Sequence, residues 1–237
     1  MTSLRASLFV PALLLSACAF AQVSGNGVAR EETREVADFT GVEVGSGLSA
    51  KVTVGPKSVR ISGDENLVGL VRTEVDDSTL EISLEKGSRV KGTSKLHITI
   101  SSPKVTSVSA SGGAVVEAEA SAARNFAAAA SGGGEVDVRN LDAKALAVEA
   151  SGGAQVKVKG RADALAVEAS GGSKVHAQEL SVKTMAVDAS GGSVVKANPS
   201  ESIAAELSAG STVHVDSSPS QRAVSASGGS EVVFSKR

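Results

Sequence analysis

Beyond residue 110, apolar and polar side chains alternate in short stretches that return at a nearly fixed spacing. One set follows a pair of glycines: Val136 and Val138, Val156 and Val158, Val175 and Ala177, Val195 and Ala197, Val213 and Val215, Val232 and Phe234. A second set precedes the next pair: Phe126, Ala128 and Ala130; Leu146, Val148 and Ala150; Leu165, Val167 and Ala169; Met185, Val187 and Ala189; Ile203, Ala205 and Leu207. A period of two belongs to a strand with one buried face. Each repeat therefore predicts two short strands, and columns of like residues predict strands that stack on their equivalents in the next repeat.

The punctuation between these stretches is as regular as the stretches. Ala-Ser-Gly-Gly begins at Ala110, Ala130, Ala150, Ala169, Ala189 and Ala226, with a degenerate Leu207-Ser208-Ala209-Gly210 in the gap. Counted on the serine, the intervals are 20, 20, 19, 20, 18 and 19 residues. The expected fold class is all-β: a parallel β-solenoid (β-helix), expected to be right-handed, of about 20 residues per rung. Successive rungs would rise by about 4.8 Å. Gly112, Gly132, Gly152, Gly171, Gly191 and Gly228 open the corners, where a sharp bend at positive φ is cheap only for glycine. Ala118 to Ala130 has strong intrinsic helix propensity, which rung register is expected to override.

Ahead of the repeats the alternation is less regular: Val42 and Val44, Val52 and Val54, Val59 and Ile61, Leu80, Ile82 and Leu84, then Leu96, Ile98 and Ile100. Gly63-Asp64-Glu65-Asn66 predicts a turn, and Leu67 to Val71 one short helix. The expected layout is a leader over 1–21, a linker over 22–35, an irregular N-terminal β region over 36–104 and solenoid repeats over 105–235. Gly45-Ser46-Gly47 followed by Val52 and Val54 reads as a divergent corner and strand, so 36–235 is expected to form one continuous domain. Its first part would cap an open end whose strand edges otherwise invite aggregation. Glu231, Lys236 and Arg237 are placed to guard the other end.

Composition fits a narrow interior. Hydrophobic residues make up 41% of the 237, yet aromatics only 2%, with five Phe, no Tyr and no Trp beside 25 Gly. A small coil is filled by Val, Leu and Ala and has no room for a Trp. Residues 51–109 contain no alanine, whereas the repeats are rich in it. The balance of 24 Lys and Arg against 26 Asp and Glu argues against a nucleic-acid partner or a broadly cationic membrane binder.

The single cysteine excludes an internal disulfide framework. It lies in a leader with Arg5 at its start and an apolar run from Leu8 to Leu15, too short to span a bilayer as a helix. Leu15-Ser16-Ala17-Cys18 resembles a bacterial lipobox, at which the Cys18 thiol would be acylated and the chain tethered to a membrane. Ala19-Phe20-Ala21 before Gln22 offers a competing ordinary cleavage site that would discard Cys18. Either cut delivers the chain outside the cytoplasm, to the periplasm, outer membrane or surface of a bacterium.

Asp38-Phe39-Thr40-Gly41-Val42, Ile61-Ser62-Gly63-Asp64-Glu65-Asn66-Leu67 and Thr79-Leu80-Glu81-Ile82, followed by repeated Ser-Gly-Gly rungs, resemble the bacterial auto-transporter adhesin head family, the GIN domain. The resemblance covers about residues 36–235. It implies an extracytoplasmic, frequently lipid-anchored β-helical domain, and it carries over no active site. Residues 118–130 depart from the rung pattern.

If the apolar residues of the second stretch point inward, Glu149, Glu168, Asp188 and Glu206 fall in one outward column. Such a carboxylate ladder could collect divalent cations or a cationic partner; the plainer reading is a solvated face. Lys157, His176, Lys196 and His214 form the corresponding column on the other strand, again with simple solubility as the plainer reading. His176 and His214 are two rungs, about 10 Å, apart, too far to share one zinc, and His97 has no cysteine partner. No metal site or cofactor is implied. No Gly-x-Ser-x-Gly elbow is present, nor a calcium-binding Gly-Gly-x-Gly-x-Asp repeat. The functional expectation is a non-enzymatic, adhesin-like binding protein of the cell envelope that meets an envelope or cell-surface ligand. A polysaccharide-active β-helix enzyme is the alternative, and missing aromatic platforms weigh against it.

Overall fold

The computed structural model describes residues 22–90 and 96–235; the leader with Cys18, and Lys236 and Arg237 at the other end, lie outside the described residues. The alternation becomes strands Glu135–Ala150, Gln155–Ala169, Lys174–Ala189 and Val194–Leu207, each hydrogen-bonded in parallel to its equivalent one repeat on. Like residues sit above like: Val136, Val156, Val175, Val195, Val213 and Val232 form one column. Phe126, Leu146, Leu165, Met185 and Ile203 form another. All but Val232 of these are buried. The chain is a parallel β-solenoid of about six turns.

Each rung has three sides, one more than the two alternating stretches predict. Beyond Val138, inward positions resume at Leu141 and Ala143 and then, after a break in phase, at Leu146. Ala162 and the pair Leu180 and Val182 fill the same extra side in later rungs. The corner before it carries Asn140 at φ 58° and Gly160 at φ 133°. This corner also absorbs the uneven repeat length. Gly160 pairs with Leu141 below and Leu180 above, and Pro199 pairs with Val182; the register slips at this corner and, in the rung of Pro199, once more between Val182 and Thr184. The interior columns on either side stay aligned because the missing residues are taken from the bend.

The Ser-Gly-Gly corners are hydrogen-bonded ladders. Both glycines of each pair have positive φ, as at Gly171 (62°) and Gly172 (75°). The N–H of the second glycine donates to the carbonyl of the first in the next rung: Gly133 to Gly152, Gly153 to Gly171, Gly172 to Gly191. Just inside the corner, Ser173, Ser193 and Ser211 are fully buried. Their hydroxyls donate to the carbonyls of Ala150, Ala169 and Ala189 at 2.9, 3.1 and 2.8 Å, which satisfies a polar group the interior could not otherwise hold.

Ala123–Ser131 is a strand despite its helix-forming composition. It is bonded to Ser107–Ser111 on one edge and to the rung of Leu146 on the other, and ladder bonds along both edges outweigh a per-residue preference of a few tenths of a kcal/mol. Gly41–Val44 and Ser49–Val52 pair in parallel with Ser107–Ala110 and Val115–Ala118, around a corner with Ser46 at φ 60° and Gly47 at φ 67°. The sheet runs on without interruption from there into the repeats. Val54 is the exception, 42% exposed beyond the inward Val52.

At the amino-terminal end, antiparallel pairs turn across the stack: Val71–Asp76 with Thr79–Leu84, and Ser58–Ser62 with His97–Ser101. The expected helix is a single turn, Glu65–Val68, displaced toward the N terminus, because Val71 is recruited into a strand. Leu67 and Val68 of this turn are buried. At the opposite end, Gln221–Ala226 and Glu231–Phe234 have strand neighbours on one side only. There Arg222 takes the interior position above Ile203, its guanidinium 4.2 Å from the centre of the Phe234 ring. Val224 is left 45% exposed.

Candidate functional site

Stacking that aligns the interior also aligns what points outward, so the candidate site is a set of ladders on three flat sides. On the third side, which leads into the glycine corner, Glu149, Glu168, Asp188 and Glu206 are register neighbours and all exposed. The same column continues through Ala129 and Ser109 to Glu43 and Glu81 in the N-terminal region. Those two carboxylates were missed in the sequence because they lie outside the Ser-Gly-Gly period. Beside the acids runs a column of small residues: Gly41, Ser107, Ala127, Ala147, Ala166, Ala186, Ala204 and Ala223. Among the described residues none of the four repeat-region acids is ion-paired, so neighbours about 5 Å apart repel by about 1 kcal/mol per pair in water. No group of three or more His, Cys, Asp or Glu among the described residues is placed to hold a metal ion.

The second side, absent from the sequence reading, carries alternating charges paired between rungs. Arg161 grips Asp142 with both Nε and a terminal nitrogen, at 2.8 and 2.6 Å, and Lys183 meets Asp163 at 2.8 Å. These bonds hold the Asp142 and Asp163 carboxyls below the usual carboxylate range. The signal was available in the constant offset of Asp142, Arg161 and Ser181, each nine residues ahead of the next corner serine.

On the first side, Lys157, His176, Lys196 and His214 stand in one column at successive rungs. Below them the column carries Asp137 and Glu117 and then Lys51, so two acids separate the four upper residues from the amino-terminal lysine. Gln155, Lys157, His176, Gln178 and Glu179 line a shallow groove here. Glu179 is tied to Lys159 at 2.7 Å, a bond that lowers its carboxyl pKa. Burial, then the charges of Lys196, Lys157 and Lys174, push the His176 imidazole below the ordinary histidine value. The corner glycines Gly112, Gly132, Gly152, Gly171, Gly191 and Gly228 all lie at positive φ and shape the edge between the first and third sides.

Over residues 38–219 the sequence matches the family described as "Putative auto-transporter adhesin, head GIN domain". The chain belongs to this family. Solved structures share the GIN-domain architecture over almost their whole length. A "putative adhesin" from Bacteroides fragilis superposes with a TM-score of 0.82 at 24% identity, over 90% of this chain and 99% of that one. A "putative adhesin" from Parabacteroides merdae gives 0.70 at 19% identity, over 91% and 99%. A "putative lipid binding protein" from Parabacteroides distasonis gives 0.72 at 14% identity, over 91% and 100%. At these identities the likeness concerns the fold alone. No curated protein matches the chain.

Proposed function

We propose that this GIN-domain protein is a non-enzymatic, adhesin-like binding protein, held outside the cytoplasm and tethered to a membrane through an acylated Cys18. The observation that carries the reading is the repetition of outward side chains: titratable groups come as columns on flat sides, an arrangement that meets an extended partner at many points. Catalysis needs a singular constellation of nucleophile, base and orienting group. Multipoint contact with an envelope polymer or a cell surface needs repetition, and weak contacts at equal spacing add up through effective concentration. The third side is the broadest candidate strip, since the alanine column lets a partner lie close while Glu149, Glu168, Asp188 and Glu206 border it.

The test is binding of the purified, labelled protein to whole bacterial cells and isolated envelope, with a depolymerisation screen on envelope polysaccharides run beside it. Saturable binding without cleavage is expected. Reproducible cleavage abolished by one point substitution would overturn the reading in favour of a polysaccharide-active enzyme. Mass spectrometry of the mature amino terminus from native cells decides the tether: an acylated Cys18 is expected, and a chain beginning at unmodified Gln22 refutes it.

A further inference from the structure

On the first side, four successive rungs above Asp137 carry a lysine or a histidine in one outward column. Lys157, His176, Lys196 and His214 occupy one register column on strands about 4.8 Å apart, and all four are half-buried, with the Lys157 Nζ 4.0 Å from Glu179. Lys174 flanks them on the same side. Amides line the neighbouring column: Gln178 donates to Asp216 at 3.2 Å, and Asn198 donates to the Gln178 carbonyl at 3.3 Å. The carboxylate column lies on the adjoining third side, across the glycine corner, where it repels an anion and leaves this strip as its landing place.

Resting on the adhesin-like reading, we propose that Lys157, His176, Lys196 and His214 form a docking strip for a linear anionic polysaccharide, one carrying a carboxylate or sulfate on each sugar. A chain laid along the solenoid axis presents anions at a repeat comparable with the rungs, so that the two lysines, two rungs apart, meet every second anion and the histidines meet those between once protonated. Aromatic platforms are unnecessary where charge and amides do the holding. Their absence disfavours single-stranded nucleic acid, which is bound by stacking bases on aromatic rings.

The strip is also tuned by pH. His176 faces Lys157 and Lys196 in the adjoining rungs and Lys174 on its own strand, with Glu179 across the groove; His214 lies beyond Lys196 and beside Asp216. Burial and then the lysine neighbours lower the His176 pKa, and a bound polyanion acts against the lysines' share of that shift. Glu179, tied to Lys159, and Asp216, bonded by Ser235 and Gln178, both have lowered pKa values. They stay ionised across the histidine range, so acidification adds positive charge to the strip and removes none.

The experiment measures binding of the purified protein to immobilised polygalacturonate and dextran sulfate, with neutral dextran and single-stranded DNA as comparisons, at about pH 7.5 and about pH 5.5. Binding to the anionic glycans, weakened by salt and strengthened at the lower pH, is expected. Replacing both Lys157→Gln and Lys196→Gln should weaken it roughly tenfold, His176→Gln should flatten its pH dependence, and Arg72→Gln with Glu74→Gln, an exposed pair on the amino-terminal hairpin, should leave it intact. Equal binding to neutral dextran, tighter binding to DNA, or indifference to the lysine substitutions overturns the proposal. So does sedimentation showing that these lysines instead join copies of the chain at low salt through the matching carboxylate column. Cell binding that persists in the lysine variant refutes this strip while leaving the adhesin-like reading in place.

Discussion

Ala209 stands where every other Ser-Gly-Gly corner of the repeats has its first glycine, and it is held at φ 54°. The left-handed region costs a residue with a Cβ about 1–2 kcal/mol. Packing adds to this. A Cβ built on Gly171 or Gly191 would lie 3.0 Å from the amide nitrogen and 3.4 Å from the Cα of the glycine one rung below, and the same stacking operates at 209. Replacing Ala209→Gly removes both penalties and returns about 0.4–1 kcal/mol to the unfolded chain as added freedom. The net is a stabilisation of about 0.5–1 kcal/mol, which for a chain of this size raises Tm by about 1–3 °C. Thermal and urea unfolding followed by circular dichroism measure it. Two companions calibrate the reasoning: Gly171→Ala meets the backbone beneath, whereas Gly172→Ala points into open space. The first should therefore lose more than the second, which bears the conformational cost alone. A lower Tm for Ala209→Gly, or equal losses for the two companions, would refute the account of the corners as stacked left-handed turns.

Other substitutions probe the interior and the ion pairs. Phe126→Ala empties the largest fully buried side chain among the described residues, at the foot of its column, and should cost about 3–5 kcal/mol by urea unfolding. Gly160→Ala would drive a Cβ into the backbone of Leu141, at its carbonyl oxygen and amide nitrogen, in a conformation open essentially to glycine alone. It should cost more than any Ser-Gly-Gly substitution and expose the neighbouring rungs to limited proteolysis. For Asp142 and Asp163, bonded by Arg161 and Lys183, the folded pKa lies below the unfolded one. Their contribution is thus present above the ordinary carboxylate pKa near 3.8 and is lost as pH falls through the lowered values. Tm should drop across that acid window, and Asp142→Asn with Asp163→Asn should shallow the drop.

The solenoid was legible because its interior repeats. Val156 and Val158, or Leu165 and Val167, declare a strand by alternation and declare stacking by returning one rung later. The second side was not legible, because its inward residues vary in size and number: Leu141 and Ala143 in one rung, Gly160 and Ala162 in the next, Leu180 and Val182 above. Its corner is also where residues are lost, which blurs any fixed spacing. The short helix was misplaced because Val71 looks equally suited to helix or strand, and pairing with Leu84 decides it. Of the outward ladders, the carboxylate and cationic columns followed from the strand phase alone. The ion pairs of Asp142 with Arg161 and of Asp163 with Lys183 needed the extra corner before they could be seen.

That corner gives the molecule an editable edge. Rungs of 18, 19 and 20 residues coexist, and the difference is taken up around Asn140, Gly160 and Pro199 while the columns on either side keep their alignment. Chain length on this edge is therefore decoupled from the pattern on the other two sides. A segment grafted between Glu179 and Leu180 would project as a loop and leave the carboxylate and cationic ladders undisturbed, so new recognition can be added along one edge without redesigning the surfaces already present.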